Sequence, residues 1–209
     1  MTVNSMDTNS FNVNINQNKN SADKILDKLA ALHQVSNDSP ADMIFHNKMQ
    51  KDMLTASQKM QNANESTAML QIQHSGLQQL KEGSMQLNEL SVQRNSAALN
   101  ADQKAMLDAQ AGGIKESMNH TIEQSSYNGQ QLLNGIDTDS LDISDQSSIE
   151  SFSSMLDDRL GDVGAAMNSM ESSHDQNAAM MENLASSMQN KQTDVAQAVT
   201  DFSSNQAKL

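Results

Sequence analysis

The sequence predicts an all-α protein: an elongated antiparallel helical rod, or coiled-coil-like bundle, with a short turn or β-hairpin in the middle. The 209 residues include one proline and eight glycines, so few positions interrupt a helix. Aromatic residues make up 2% of the chain, whereas sixteen methionines supply flexible apolar side chains that suit narrow helix seams. Long stretches also place apolar residues at alternating steps of three and four, the period of a helical seam.

Charge and composition argue against several classes of function. A net charge of −13 disfavours nucleic acids and anionic membrane surfaces, since both are bound by clustered Lys and Arg. The absence of cysteine excludes disulfides and thiolate chemistry. No apolar run approaches the ~20 residues of a membrane span, and the start "MTVNSMDTNSFNVNINQNKN" is not a Sec-type signal peptide. We therefore expect neither nucleic acid binding nor membrane insertion.

The first forty residues are predicted to contain a disordered segment, a short helix and a helix start. Residues 1–20 are rich in Asn and too poor in apolar side chains to bury a surface. Residues 21–35 carry one apolar helical face. Ser39 then caps a new helix, with Pro40 at its first position and Asp42 three residues after the cap.

The helix that begins at Pro40 is predicted to be long. Its seam consists of Phe45, Met49, Met53, Ala56, Met60, Ala63, Thr67 and Leu70, and continues as Met69, Ile72, Gly76, Leu80, Gly83, Leu87 and Leu90. Each of the two glycines costs about 1 kcal/mol of helix propensity relative to Ala, so their place on the seam predicts close approach of another helix.

Two further helices follow in the prediction. Asn100 caps the first, with Gln103 at the position that reaches back, and the short link favours an antiparallel return. Its seam is Leu107, Ala111, Ile114, Met118 and Ile122. Ser147 caps the second, with Glu150 reaching back. Its seam runs through Ile149, Phe152, Leu156, Leu160, Val163, Met167, Met170, His174, Asn177, Met181, Leu184, Met188, Lys191, Val195, Val199 and Phe202. The polar members His174, Asn177 and Lys191 are expected to set the register.

The stretch "SSYNGQQLLNG" separates these last two helices. It holds the only tyrosine, Tyr127, followed by Asn128-Gly129 and later by Asn134-Gly135. Asn-Gly is a strong signal for a tight hairpin turn. We expect this segment to reverse the chain between two helical arms, with Tyr127 holding the reversal against the end of the bundle.

The sequence predicts no catalytic, cofactor or metal site, and the protein is not expected to be an enzyme. The five histidines, His33, His46, His74, His120 and His174, form no local ligand pair. Acidic residues crowd the central loop at Asp137, Asp139, Asp142 and Asp145, but a calcium loop would need a Gly and a Glu that are missing. A solvated turn before a helix is the favoured interpretation, and weak binding of a divalent ion is the alternative.

Five stretches together resemble the bacterial flagellins, in particular short flagellin-like secreted proteins without the variable outer domains. They are "TNSFNVNINQN" (8–18), "NANESTAMLQIQHSGLQQL" (62–80), "LNELSVQRNSAALNADQKAML" (87–107), "SYNGQQLLNG" (126–135) and "TDVAQAVTDFSSNQAKL" (193–209). The stretch "ELSVQ" lies where flagellins carry their signature, and the five occur in the family's order.

The resemblance implies a domain organisation. Residues 1–20 would be a disordered export signal and the start of the inner-wall helix, and residues 21–125 the N-terminal arm of the rod. Residues 126–147 would be a central turn in place of the outer domains, and residues 148–209 the C-terminal helix. Flagellins usually continue beyond the segment that ends here at Leu209, so the C-terminal inner-wall helix is expected to be missing.

The resemblance also implies partners and a location. We expect a flagellin-type structural protein of the bacterial flagellum, concerned with motility and exported by the flagellar type III apparatus. Its partners would be other flagellin subunits or copies of itself, the export apparatus and an export chaperone. A secreted flagellin-like effector or adhesion protein that does not polymerise and a hook-filament junction protein stay open as alternatives, as does an unrelated cytoplasmic coiled coil.

The family's contact with the vertebrate innate flagellin receptor provides the candidate site residues. In flagellins seen by that receptor, the helix before "ELSVQ" supplies arginines that contact it, and an acid on the following helix helps. The matching positions here are Gln86, Asn88 and Gln110, around Glu89 and Leu90. Amides replace the charged groups, so the resemblance implies weak or absent receptor activation.

Overall fold

Three α-helices make up most of residues 40–206, the part of the chain that the computed structural model describes. They are α1, Pro40–Arg94, α2, Ala101–Gln124, and α3, Gln146–Gln206. The predicted all-α class is therefore confirmed, and among the described residues α1 begins at Pro40 as expected.

Between α2 and α3 lies a two-stranded antiparallel hairpin. Strand β1 is Ser126–Tyr127 and strand β2 is Gln130–Gln131, with Tyr127 opposite Gln130. The predicted hairpin is thus confirmed. The segments predicted at 1–20 and 21–35, and the Ser39 cap, lie outside the described residues.

Contacts divide the described residues into two compact units. Residues 40–64 and 170–206 form one, which we call the methionine unit, and Glu65–Ser169 form the other, which we call the three-helix unit. The division into arms at residues 20, 125 and 147 stays a prediction.

The core of the methionine unit is built from one stripe of α1 and one stripe of α3. Its buried side chains are Met49, Met53, Ala56, Met60, Met181 and Met188, with Phe45, Leu184 and Ala185 packed against them. All except Ala185 were predicted seam positions. The thioether side chains adapt to irregular gaps, so they fill most of this narrow seam, with Phe45 packed against them.

In the three-helix unit, α2 and α3 both run antiparallel to α1. Gly76 of α1 faces Ser125, just beyond the end of α2, and the later Gly83 faces the earlier Met118. Lys81 of α1 donates from Nζ to Ser153 Oγ of α3 at 2.7 Å and pairs with Asp157 at 2.6 Å, whereas the earlier residues Met49 to Met60 of α1 pack with the later Met181 and Met188 of α3. The antiparallel return of α2 is confirmed, and α2 and α3 consequently point in the same direction.

The connecting segment, residues 125–145, therefore returns along the length of this unit. Thr138 Oγ1 bonds to Asn119 Oδ1, and Lys115 Nζ donates to the carbonyl of Leu141 at 2.9 Å, so the segment passes α2 in the opposite direction. The prediction of a simple reversal was incomplete. The hairpin is present, but the whole segment is needed to bring the chain back.

The connecting segment also completes the core. The buried cluster consists of Leu77, Leu80, Leu87, Ala111, Met118, Leu133, Leu141, Ile143, Ile149, Phe152 and Leu156. Leu133, Leu141 and Ile143 were not predicted to be buried, because the segment was interpreted as a solvated turn. The alternation of Leu141 and Ile143 with exposed Asp142 and Ser144 was the available signal for a half-buried extended chain.

The two predicted caps had different outcomes. Asn100 caps α2 in a full capping box, with Gln103 N donating to Asn100 Oδ1 at 2.9 Å and Asn100 N donating to Gln103 Oε1 at 3.0 Å. The Ser147 cap was wrong, because α3 begins at Gln146, two residues before the predicted start at residue 148. Asp145 Oδ1 accepts from the Ser147 backbone N–H at 3.0 Å and so satisfies a free helix donor.

Gly76 provides a test of the close packing in the three-helix unit. A Cβ added at Gly76 would lie 2.6 Å from Ser125 Oγ and 2.7 Å from Leu133 Cδ1. We expect Gly76→Ala to lower the free energy of unfolding by about 1–3 kcal/mol in urea titrations, because buried groups must shift. The matched control is Gly112→Ala, where nothing lies within 4 Å. It should raise stability by up to about 1 kcal/mol through helix propensity, and equal effects of the two variants would contradict the packing.

His174 provides a pH test of the methionine unit. Its side chain is 4% exposed, and burial lowers the pKa of the imidazole below its usual value, although Asp175 opposes this shift. The unfolded chain therefore binds a proton more readily than the folded chain. Stability is fully present above the ordinary histidine pKa of about 6.5 and is lost as the pH falls below it.

We expect the melting temperature of the native chain, followed by circular dichroism, to fall on acidification from about pH 7.5 to about pH 5.5. The variant His174→Gln keeps a polar side chain at this seam position but cannot titrate, so its melting temperature should fall less. The same decrease in both proteins would show that protonation of His174 does not limit stability.

Candidate functional site

An open groove of about 790 Å³ runs between α1 and α2 in the three-helix unit. Amide, acidic and small side chains predominate in its lining, which consists of Gln79, Glu82, Gly83, Gln86, Glu89, Leu90, Gln93, Gln110, Gly113, Ile114, Ser117, Met118 and Thr121. Among these lining residues there is no Lys, Arg or His. The groove is therefore a polar surface with two acids, suited to recognition by hydrogen bonding.

Contacts between the two helices fix the shape of the groove. A Cβ at Gly83 would lie 2.7 Å from Met118 Cγ, so the glycine lets the helices approach closely at this level. Thr121 Oγ1 donates to Gln79 Oε1 at 3.3 Å across the groove. These contacts set the spacing of the two helices that form the walls of the groove.

An ion pair also joins the C-terminal end of α1 to α2. Arg94 Nε donates to Asp108 Oδ1 at 2.5 Å, and Nη2 donates to Oδ2 at 3.2 Å, so the pair is bidentate. The hydrogen bond to Asp108 raises the pKa of Arg94. The pair is exposed to solvent and therefore contributes orientation more than stability.

Four of the five receptor-matching positions lie together in the groove. Gln86 and Glu89 are exposed on α1, Leu90 is half-buried beside them, and Gln110 faces them from α2. Asn88 is not part of this lining. It lies on the stripe that also holds Lys81, the residue that contacts α3, and its Oδ1 is buried. The structure thus brings four positions together and separates the fifth.

Further groove residues follow a pattern that the sequence analysis missed. Gln79, Glu82 and Gln93 extend the series of Gln86 and Glu89 at steps of three and four, the same period as the apolar seam. A polar stripe with helical period is usually read as a solvated face. Only the packing of α2 beside it shows that this stripe forms one wall of a groove.

The hairpin turn adopts the predicted geometry. Asn128 has φ 49° and Gly129 has φ 78°, as a two-residue type I′ turn requires. Tyr127 is half-buried on β1. The expectation that its ring holds the reversal against the bundle stays a prediction.

The acidic residues of the central loop serve local structure. Asp137, Asp139, Asp142 and Asp145 are all exposed, and three of them accept backbone N–H groups two residues ahead. The N–H of Ser144 lowers the pKa of Asp142, because it stabilises the charged carboxylate. Within residues 40–206, no group of three or more acidic or histidine side chains is arranged to hold a metal ion.

The histidines are dispersed. His120 shares a 2.7 Å hydrogen bond with the amide of Gln124 on the same helix, and His174 lies in the methionine unit. His33 and the side chain of His46 fall outside the described part of the chain. Over the described residues, no helix is both long and apolar enough to cross a membrane.

Comparison with known proteins agrees with this arrangement of helices. Residues 3–138 match the family model for the bacterial flagellin N-terminal helical region. The chain is also 29% identical over 216 residues to secreted flagellin C of Campylobacter jejuni serotype O:6, covering 94% of this chain and 86% of the relative. The protein of the same name from serotype O:2 is 29% identical over 214 residues, with the same coverage.

The matched region includes α1, α2, the hairpin and the connecting segment as far as Thr138. These are the elements that build the core and the groove of the three-helix unit. Since the match spans well over half of its length, the chain belongs to the bacterial flagellin family of structural proteins, and the secreted or flagellar location implied by the resemblance is confirmed.

Proposed function

We propose that this chain is exported by the flagellar type III apparatus and packs with flagellin subunits, as a subunit or minor component of the flagellar filament. The observation that carries this proposal is the family match over residues 3–138, which ends inside the connecting segment. The segment turns back into the core at that point, through Leu141 and Ile143.

The short connection between α2 and α3 supports a function in which partners contact the helices directly. Residues 125–145 are all that separates α2 from α3, and their apolar side chains are used to close the core. No separate outer domain is therefore built between these helices. The surfaces available to partners in the three-helix unit are helix faces and the groove between α1 and α2.

A second candidate function is a secreted flagellin-like protein that does not polymerise. The names of the two relatives favour it, since both are secreted flagellins that align with 94% of this chain. Export by the flagellar apparatus, with an export chaperone as a further partner, is common to both candidates. They differ in whether the folded chain joins a filament.

Sedimentation with preformed flagellar filaments as seeds distinguishes the two candidates. If the chain is a filament component, it should pellet with seeds and lengthen or decorate them in negative-stain images. The matched control is Leu160→Pro, which removes a backbone hydrogen bond of α3 and costs about 3 kcal/mol or more. This variant should stay in the supernatant. A native chain that is folded by circular dichroism but never pellets with seeds would exclude polymerisation and favour the second candidate.

We also infer that the native groove does not activate the vertebrate flagellin receptor. Gln86 and Gln110 offer amides where the resemblance places an arginine and an acid. An amide cannot replace the bidentate, charge-assisted contacts of a guanidinium. A receptor group left buried without its partner weakens binding by about 1–3 kcal/mol.

The test is a gain of signalling in reporter cells. The combination Gln86→Arg with Gln110→Glu should produce a signal that the native chain lacks, because both changes face the groove. Met85→Arg, at an exposed position that does not line the groove, is the matched control, because the resemblance places an arginine at Asn88 as well. It adds the same cation outside the groove and should add no signal. A folded double variant that stays silent would show that the receptor site does not map onto these positions.

A further inference from the structure

The tip of the hairpin carries a chemically reactive dipeptide, Asn128-Gly129. We propose that Asn128 is a site of spontaneous deamidation, and that the fold protects the second Asn-Gly pair, Asn134-Gly135. The chain thus holds the same dipeptide in two environments, beginning four and ten residues after the end of α2. The difference between the two environments is what makes one of them a modification site.

The reaction needs only the chain and water. The backbone nitrogen of Gly129 attacks Cγ of Asn128, so that an N–Cγ bond forms and the Cγ–Nδ2 bond breaks. The amide proton of Gly129 passes to solvent, and the side-chain NH2 takes up a proton from solvent and leaves as ammonia. Water then opens the cyclic imide at either carbonyl and gives aspartate or isoaspartate. Glycine favours the attack because no Cβ shields its nitrogen.

The geometry of the turn leaves Asn128 accessible. The ladder pairs Tyr127 with Gln130, so Asn128 and Gly129 form the exposed tip. Among the described residues, the Asn128 side chain has no hydrogen-bond partner. Asn128 and Gly129 are both exposed, and nothing lies within 4 Å of a Cβ built at Gly129, so no other part of the chain covers the dipeptide on that side.

Two hydrogen bonds restrain Asn134 instead. Its Nδ2 donates to the carbonyl of Gln131 at 2.9 Å, which fixes the side chain that would be attacked. Its own carbonyl accepts from Arg159 Nη1 at 3.0 Å, which fixes the peptide plane that contains the Gly135 nitrogen. Both bonds must break before the ring can close. This requirement should slow the reaction at Asn134 by about ten- to thirty-fold relative to an unrestrained pair.

Modification would change the hairpin without unfolding the three-helix unit. Either product adds one negative charge at the tip, and isoaspartate also adds a methylene to the backbone of the two-residue turn. The segment beyond the hairpin has its own anchors. Leu132 N donates to the Ser125 carbonyl at 2.9 Å, and Gln73 Nε2 donates to the Leu132 carbonyl at 3.0 Å.

The test is a time course on the full chain at mildly alkaline pH. Samples taken over days are digested and analysed by mass spectrometry, with fragmentation that separates positions 128 and 134; each conversion adds about one dalton. Asn128 should convert at least about ten-fold faster than Asn134 in the folded chain. In denaturant the two rates should converge, because both dipeptides are then unrestrained.

Arg159→Gln provides the matched variant. It removes the donor to the Asn134 carbonyl and should raise the rate at Asn134 while leaving Asn128 unchanged. Equal rates in the folded native chain, faster conversion at Asn134, or no conversion at Asn128 would each overturn the proposal. A rate ratio that persists in denaturant would also overturn it, since sequence neighbours and not the fold would then set the difference.

Discussion

The direction of α3 is the constraint on which the three-helix unit depends. Because α2 and α3 both run antiparallel to α1, the chain must travel back along the unit between Gln124 and Gln146. The connecting segment makes this return as an irregular chain with buried apolar side chains. Leu133, Leu141 and Ile143 join the same core as the helices, so the connection is a structural part of the bundle. The helices alone would leave that side of the core open.

A returning segment without a ladder partner has backbone carbonyls that need donors. Side chains from the three helices supply them. Gln73 of α1 binds the Leu132 carbonyl, Lys115 of α2 binds those of Asp139 and Leu141, and Arg159 of α3 binds that of Asn134. A polar group left unpaired in this setting costs more than a formed bond contributes, so these donors specify the path of the segment.

The helices could be predicted from the sequence because their seams repeat with a period near 3.5 over many turns. The Asn100 cap and the Asn-Gly turn could also be predicted, since both depend on local chemistry. The return of the connecting segment could not, because it depends on the relative direction of α2 and α3. The misplaced Ser147 cap has a similar cause. Asp145 and Ser147 are both good capping residues, and the path of the preceding chain decides which one is used.

The groove, too, could be predicted from the sequence only in part. Its α1 wall is a regular polar stripe, and periodicity places Gln86 and Glu89 on it, but periodicity alone does not say which neighbour each stripe of α1 faces. In the three-helix unit α1 has two helical neighbours, so Asn88 falls on the stripe towards α3 while Gln86 falls on the stripe towards α2.

The polar and acidic lining of the groove determines how salt affects a partner that packs in it. The chain has a net charge of −13, and the groove offers glutamine amides with two glutamates and no cation. Contacts to the amides would be neutral hydrogen bonds, which salt screens little, whereas ion pairs at an exposed surface weaken as ionic strength rises. Association through the amides would therefore persist at high salt, and association through Glu82 and Glu89 would not.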